Sequence, residues 1–280
     1  MPNKPSRRHL PTEADLDVKA DDLTRLAADP KLISGVYNYC DRWCERCPLT
    51  ARCLVFQTER ARDARRGQAR PDLENREFWD EFGDSLAVAM HLLRRDARKL
   101  GIDLDDVAAS AAAEVEKRRR RRLAARQGST LHRAAAAYGK SARALLERLA
   151  PELTAATDAL NTQLRLGAGR PEAEADEIRD ALEVVQWYLF FIDVKLQRAV
   201  SSRVDDRCEG DGGYPSDADG AAKIALVAID RSVAAWARLR ERLDAETDAM
   251  LDLLVRLERL RRATEREFPQ ARAFKRPGFD

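Results

Sequence analysis

Apolar residues recur every three or four positions along most of this chain, a spacing that predicts amphipathic helices. Residues 172–204 have this spacing, and the run at 187–192 is apolar on nearly all sides, so this segment is the predicted central helix. Turn residues and β-branched runs are too sparse for an extensive sheet. The pattern therefore predicts an all-α fold, a multi-helix bundle. The clearest stripe predicts a helix over about residues 75–100, with apolar positions at Phe78, Trp79, Phe82, Leu86, Met90 and Leu93.

Capping residues and helix breakers mark the other predicted elements. A Gly/Asp-rich stretch at 205–220 predicts a long loop, and the tail after Pro269 is expected to dock back on the bundle through Phe274 and its neighbours. Further helices are predicted over residues 12–29, 103–128, 129–150 with a shorter continuation at Pro151, and 221–267 with a turn near Asp244.

Four of the five cysteines lie within the short segment 40–53, with the spacing C-x3-C-x2-C-x5-C. Apolar residues at three- and four-residue intervals predict a helix over residues 31–47. At about 100° per residue, that helix would place its three cysteines within an arc of roughly 60°. A turn at Pro48 would then return the fourth cysteine to the same point. The segment could thus supply four thiolates from Cys40, Cys44, Cys47 and Cys53.

Two metal centres use four thiolates, namely tetrahedral zinc and the [4Fe-4S] cluster. Structural zinc usually takes two C-x2-C turns separated by a longer loop, whereas this segment contains one such turn. Radical-SAM enzymes share the C-x3-C-x2-C spacing, but the cysteine at position 53 would fill the iron site that those enzymes leave open. The spacing therefore predicts a [4Fe-4S] cluster, with Zn as the alternative.

The sequence from Cys44 to Cys53, with Pro48 and Leu49 inside it, resembles the cluster loop of endonuclease-III-type and adenine-specific DNA glycosylases and of WhiB-type regulators. Those families pair C-x2-C-P-[aliphatic]-x3-C with one further cysteine and hold a [4Fe-4S] cluster. The resemblance covers some ten residues, and the upstream cysteine stands at a different distance. It implies the cofactor but not glycosylase activity. Over a longer span, residues 37–53, 187–199 and 219–236 together resemble a set of uncharacterised bacterial helical proteins.

Charge and composition limit the possible partners. The chain has 50 Lys+Arg against 48 Asp+Glu, a formal charge of +2 that excludes polyanion binding by bulk charge. Nucleic-acid binding through the basic run Arg118–Arg122 is a weaker alternative to a solvated helix end. No apolar run approaches the ~18 residues of a membrane span, and no apolar leader follows the N-terminal arginines. Five cysteines are too few for a secreted disulfide scaffold, so we expect no membrane association and a cytoplasmic location.

These observations predict a soluble helical iron–sulfur protein that acts in electron transfer or sensing with an unidentified protein or redox partner. The alternative is a protein-interaction module in which zinc or a cluster only staples the cysteine segment to the bundle. The sequence assigns no catalytic residue and leaves enzymatic activity undecided. We expect a disordered or weakly helical lead at 1–30, a cysteine segment at 31–71 and a bundle at 72–280, with the last two in one domain. Cys208 lies in the Gly/Asp-rich stretch and is expected to be a free thiol, with redox pairing as the alternative.

Overall fold

The computed structural model describes residues 11–66, 76–209 and 216–280. Helices dominate these ranges and no strand occurs in them, which confirms the all-α prediction. Three single 3-10 turns occur at Val36–Tyr39, Cys44–Arg46 and Thr50–Arg52. The α-helices are α1 (Glu13–Ala27), α2 (Leu54–Arg66), α3 (Arg76–Leu100), α4 (Leu104–Gly128), α5 (Thr130–Leu166), α6 (Pro171–Glu209), α7 (Asp217–Arg242) and α8 (Thr247–Glu267).

The helix ends follow local capping chemistry that the sequence makes visible. Thr12 and Asp15 form a reciprocal capping box at the start of α1, which satisfies two backbone N–H groups. The Ser129 side chain accepts a hydrogen bond from the His132 N–H at the start of α5. Gly167 ends that helix in the left-handed conformation, with φ 62°, which a glycine adopts without steric cost. These local signals explain why several predicted boundaries agree with the structure within a few residues.

The first of two structural units consists of residues 1–38 and 42–116. In this unit α1 packs along α3. The buried His91 ring is hydrogen-bonded through Nε2 to Asp17 Oδ1 at 2.7 Å, and Lys19 Nζ donates to Asp84 Oδ2 at 2.6 Å. These polar pairs fix the register of α1 on one face of α3. The opposite face of α3 contains several exposed large apolar side chains, among them Trp79, Leu86 and Leu93.

The second unit consists of residues 39–41 and 117–280, and its core lies between α6 and α7. Tyr188 and Ile192 of α6 are fully buried, but Phe190 in the same apolar run is 58% exposed. The helix enclosed most completely is α7, where Trp236 is fully buried and donates a hydrogen bond from Nε1 to the Tyr138 hydroxyl at 3.0 Å. The predicted core run therefore belongs to the core, while α7 is the more central helix.

Outside the cysteine segment, two predicted elements differ in the structure. Both ends of the loop expected at 205–220 are helical, because α6 continues to Glu209 and α7 begins at Asp217. The helix α5 also continues through Pro151 instead of restarting there. Within the three described ranges, each helix is too short or too polar to span a lipid bilayer. Of the lead expected at residues 1–30, residues 1–10 lie outside the described residues, and α1 occupies Glu13–Ala27.

Candidate cysteine centre

The predicted helix over residues 31–47 is wrong, because the chain forms separate 3-10 turns there. Gly35 and Arg42 both have positive φ values, 72° and 59°, which a continuous right-handed helix does not allow. A helix would also place positions 39 and 41 about 200° apart, on opposite faces. In the structure both residues pack on the same helical unit, as described below. Cys40, Cys44 and Cys47 therefore do not share one face of a helix.

The backbone from Cys44 to Cys53 contains two similar turns in succession. The Cys47 N–H donates to the Cys44 carbonyl at 3.2 Å and closes the first turn, and the Cys53 N–H donates to the Thr50 carbonyl at 3.3 Å and closes the second. Both closing cysteines then adopt extended backbone, with φ/ψ of −88°/123° for Cys47 and −108°/115° for Cys53. The last two candidate ligands thus occupy equivalent positions, each immediately after one 3-10 turn.

The sulfur atoms of this segment lie neither in the core nor in open solvent. Cys40, Cys44, Cys47 and Cys53 are all half-buried. The backbone N–H of Leu49 points at the Cys47 sulfur, with a donor–acceptor distance of 3.4 Å. Sulfur accepts such a hydrogen bond, so this contact holds the Cys47 side chain against the backbone of the following turn.

Side chains next to the cysteines hold the two turns in place within the first unit. Trp43 is 9% exposed, and the Arg46 guanidinium lies 4.0 Å from its ring centroid in a cation–π contact. Arg52 joins the second turn to residues 31–33 through its backbone and its side chain. Its carbonyl accepts a hydrogen bond from the Ile33 N–H at 2.9 Å, and its Nε donates to the Lys31 carbonyl at 3.2 Å.

Tyr39, immediately before the first cysteine, is anchored in the second unit. Its hydroxyl donates to Asp217 Oδ1 at 3.2 Å, and its ring makes an edge contact with Phe274 at a centroid distance of 4.7 Å. Gly220, in the first turn of α7, lies directly against the ring. A β-carbon there would be 2.3 Å from Tyr39 Cε1, so a glycine is required for this close approach. Phe274 belongs to the tail, which confirms that the tail docks on the bundle.

Asp41, immediately after the first cysteine, is anchored on α6 and α7. Its Oδ2 accepts hydrogen bonds from the Tyr188 hydroxyl and from Arg231 Nη1, both at 2.6 Å. Its backbone carbonyl accepts the Trp187 Nε1–H at 3.0 Å. The Asp41 side chain is only 17% exposed, so these donors replace most of its contacts with water. Cys40 thus stands between two residues that the helical unit holds from both sides.

Tyr188 and Asp217, which hydrogen-bond to Asp41 and Tyr39, have shifted pKa values. Burial is the main cause that raises the pKa of the Tyr188 hydroxyl, and its hydrogen bond to Asp41 raises the pKa further, so Tyr188 remains a donor at neutral pH. Partial burial opposes ionisation of Asp217, but hydrogen bonds from Arg198 and Ser202 outweigh it and lower the pKa of this carboxyl. At neutral pH Tyr188 is therefore protonated and Asp217 ionised, as their hydrogen bonds to Asp41 and Tyr39 require.

The lowered pKa of Asp217 predicts a loss of stability in acid. A carboxyl whose pKa is lower in the folded state stabilises that state above its unfolded pKa, about 3.9, and loses this contribution as the pH falls towards the folded value. We therefore expect the stability difference between wild type and Asp217→Asn to be largest at neutral pH and to shrink below about pH 4. Urea unfolding at a series of pH values measures it. For the matched exposed control, Asp252→Asn, we expect no such trend, and an equal trend there would contradict the assignment.

Comparison with known proteins gives no indication of the function. No family model, curated protein or solved structure matches this chain. Within the described ranges, no three His, Cys, Asp or Glu side chains are placed so that they could hold one metal ion. The four-cysteine ligand set therefore remains a prediction from spacing. Cys208 lies on α6, at a position whose side chain is outside the described residues.

The basic run Arg118–Arg122 lies on the second half of α4, and two of its side chains bind α6. Arg118 Nε donates to Asp205 Oδ1 at 2.7 Å, and Arg122 Nε donates to Oδ2 of the same carboxylate at 2.9 Å. Partial burial opposes ionisation of Asp205, but the two arginines outweigh it and lower its pKa. These two cations therefore stabilise helix packing. Nucleic-acid binding by the run stays an untested prediction with less free charge to support it.

Sequence reasoning missed the residues that anchor the segment. The apolar run predicts Trp187 and Tyr188 as core side chains without a polar partner, and the sequence does not single out Arg231. One feature of the sequence does indicate a polar contact. The charged pair Asp230-Arg231 directly follows the apolar run at 224–229, and a charge beside a buried run needs a partner. The identity of that partner, 190 positions away, has no local signal.

Proposed function

We propose that the protein is a soluble, cytoplasmic iron–sulfur protein with a role in electron transfer or sensing. The proposed ligands of its [4Fe-4S] cluster are Cys40, Cys44, Cys47 and Cys53. The observation that supports this most directly is the presence of four half-buried cysteines within the short segment 40–53. A reducing compartment would keep these thiols available for a metal rather than for disulfides.

The local structure supports this proposal in two ways. The equivalent backbone positions of Cys47 and Cys53, each after one 3-10 turn, leave both side chains at the ends of tight turns, where backbone N–H groups can approach sulfur. Hydrogen bonds to sulfur and exclusion of solvent are what tune a cluster's reduction potential. The Leu49 N–H and the buried Trp43 ring are the groups of this chain that would do so.

The ligand count favours a redox or structural role over hydrolysis. When bound, a cluster with one thiolate on each iron supplies one-electron chemistry and has no open coordination position for a substrate. The chain's own contribution would be to hold Cys40 through its neighbours Tyr39 and Asp41 and to limit water access through Trp43. Its physiological partner would then be a protein or another redox centre.

Metal analysis after anaerobic purification tests the proposal. We expect a brown protein that absorbs at about 400 nm and contains about four irons and four sulfides per chain. Cys53→Ser should lose most of the iron, whereas the matched control Cys208→Ser, the fifth cysteine, should retain it. A colourless protein with one zinc per chain would exclude the cluster. Equal losses in the two variants would contradict the assignment of the ligands.

A second candidate function is an interaction module in which zinc or a cluster only stabilises the cysteine segment. The large apolar face that α3 leaves exposed favours it, since such faces mark interaction sites. Voltammetry of the purified protein separates the two functions, because a reversible couple is expected only for the redox protein. Loss of Cys53 would then reduce stability and metal content together, with no redox signal to lose.

A further inference from the structure

Residues 268–280 form a tail that folds back on the second unit after the end of α8. The first part of the tail is fixed in the core, because Phe268 and Ala271 are only 3% and 0% exposed. Each residue of the outer part, 272–280, is half-buried or exposed. The outer part can therefore detach from the unit while the first part stays in place.

The outer part of the tail meets the cysteine segment at one aromatic ring. Phe274 makes an edge contact with the Tyr39 ring at a centroid distance of 4.7 Å. A β-carbon at Gly220 would lie 2.3 Å from Tyr39 Cε1 and 2.8 Å from Phe274 Cζ, so both rings also lie against the start of α7. Since Tyr39 directly precedes Cys40, the tail limits the movement of the backbone that carries this thiol.

Charged groups hold the beginning of the outer part on α7 and α8. Arg272 Nη1 donates to Asp230 Oδ2 at 2.6 Å, and its Nε donates to Glu265 Oε1 at 2.9 Å. The Arg272 carbonyl accepts a hydrogen bond from Lys223 Nζ at 2.7 Å. The three side chains of the ion pairs are each between 37% and 39% exposed, so these pairs contribute little and are screened by salt.

We propose that residues 272–280 act as a latch on Tyr39, and that opening of the latch increases the access of solutes to the Cys40 thiol. When the outer part detaches, the Tyr39 ring loses its contact with Phe274, and the backbone at Cys40 gains freedom to move. Local opening of this kind requires much less free energy than unfolding of the core. The anchor at Asp41 remains, so the opening releases one side of the thiol. The latch does not depend on whether the four cysteines bind a cluster.

Alkylation of the reduced full chain by iodoacetamide tests the latch. We expect Phe274→Ala to raise the labelling rate at Cys40, relative to that at Cys53, by about 2–10-fold, the effect of losing one aromatic contact from the closed state. Lys275→Ala, at the exposed neighbouring position, is the matched control and should leave the ratio unchanged. Peptide mass spectrometry resolves the two sites, and circular dichroism verifies that each variant is folded.

Hydrogen exchange of the peptide that contains Tyr39 and Cys40 measures the same opening without a need for unbound thiols. Exchange in this peptide should be faster in Phe274→Ala than in the wild type, because a larger fraction of the chains has the latch open. Lys275→Ala should again behave as the wild type. If a bound metal protects the thiols from alkylation, this measurement decides the outcome, and metal analysis separately decides the proposed function.

Salt dependence tests the contribution of the charged groups. An increase in NaCl from about 0.05 M to about 0.5 M should raise the Cys40 to Cys53 ratio in the wild type, because screening weakens the ion pairs of Arg272. Arg272→Gln should have a raised ratio already at low salt and a smaller response to added salt. This variant also replaces Phe274→Ala if the latter does not fold. Labelling and exchange that neither variant changes would overturn the proposal, and so would an equal rise at Cys40 and Cys53.

Discussion

Replacement of Gly220 by alanine is expected to destabilise the second unit by about 2–3 kcal/mol, the upper part of the range for overpacking. The added β-carbon would lie 2.3 Å from Tyr39 Cε1 and 2.8 Å from Phe274 Cζ, so both rings would have to shift. Tyr39 would have to leave its site and lose its hydrogen bond to Asp217. Urea unfolding followed by far-UV circular dichroism measures the loss.

A double-mutant cycle makes this prediction specific to the Tyr39 ring. In a Tyr39→Ala background the same glycine substitution should lose most of its cost, because the main obstacle to the β-carbon is gone. Gly128→Ala is the matched control, since nothing lies within 4 Å of a β-carbon at that position. Additive effects of the substitutions at 39 and 220 would contradict the packing described for them.

Removal of the Asp41 carboxylate is the second large effect that we expect. Asp41→Ala leaves the buried Tyr188 hydroxyl without its acceptor and removes the anion paired with Arg231. Loss of the acceptor of the buried Tyr188 hydroxyl costs about 1–3 kcal/mol, and the ion pair adds little because the Arg231 side chain is 52% exposed. Urea unfolding measures this value, and the exposed control Asp252→Ala should change it by less than about 0.5 kcal/mol.

The same substitution should also change the reactivity of Cys40. With one of its two anchors gone, the neighbouring thiol becomes more accessible, so the rate of iodoacetamide labelling at Cys40 should rise relative to that at Cys53. Peptide mass spectrometry resolves the two sites. Equal rates in wild type and Asp41→Ala would show that the carboxylate stabilises α6 and α7 without fixing the cysteine segment.

Local sequence signals were sufficient to predict the long helices but not the backbone of the cysteine segment. The stripe at 75–100 and the serine cap at 129 report on interactions within one helix, and the structure has helices there. Spacing at 31–47 also fits a helix, yet the packing of Tyr39 and Asp41 on distant helices overrides it. Tertiary contacts of this kind have no period in the sequence.

The candidate site could be predicted only in its composition. Four clustered cysteines are visible in the sequence, and their half-buried state is consistent with that reading. The residues that hold Cys40 come from α6, α7 and the tail, and each looks locally like a core or capping residue. The requirement for Gly220 illustrates this, because a glycine in the first turn of a helix gives no indication that the ring of Tyr39, far earlier in the chain, packs against it.

The hydrogen bond between Asp41 and Arg231 has a consequence for the order of events during synthesis. Its two residues are 190 positions apart, so at roughly 5–20 residues per second the ribosome needs about 10–40 s to add the second after the first. Once Cys53 has been added, the nascent chain contains every cysteine of the segment for the rest of that interval, but not yet the whole of α7, which helps to fix Cys40. The thiols must therefore survive in an unfinished polypeptide, and the final position of Cys40 is established only after α7 has left the exit tunnel.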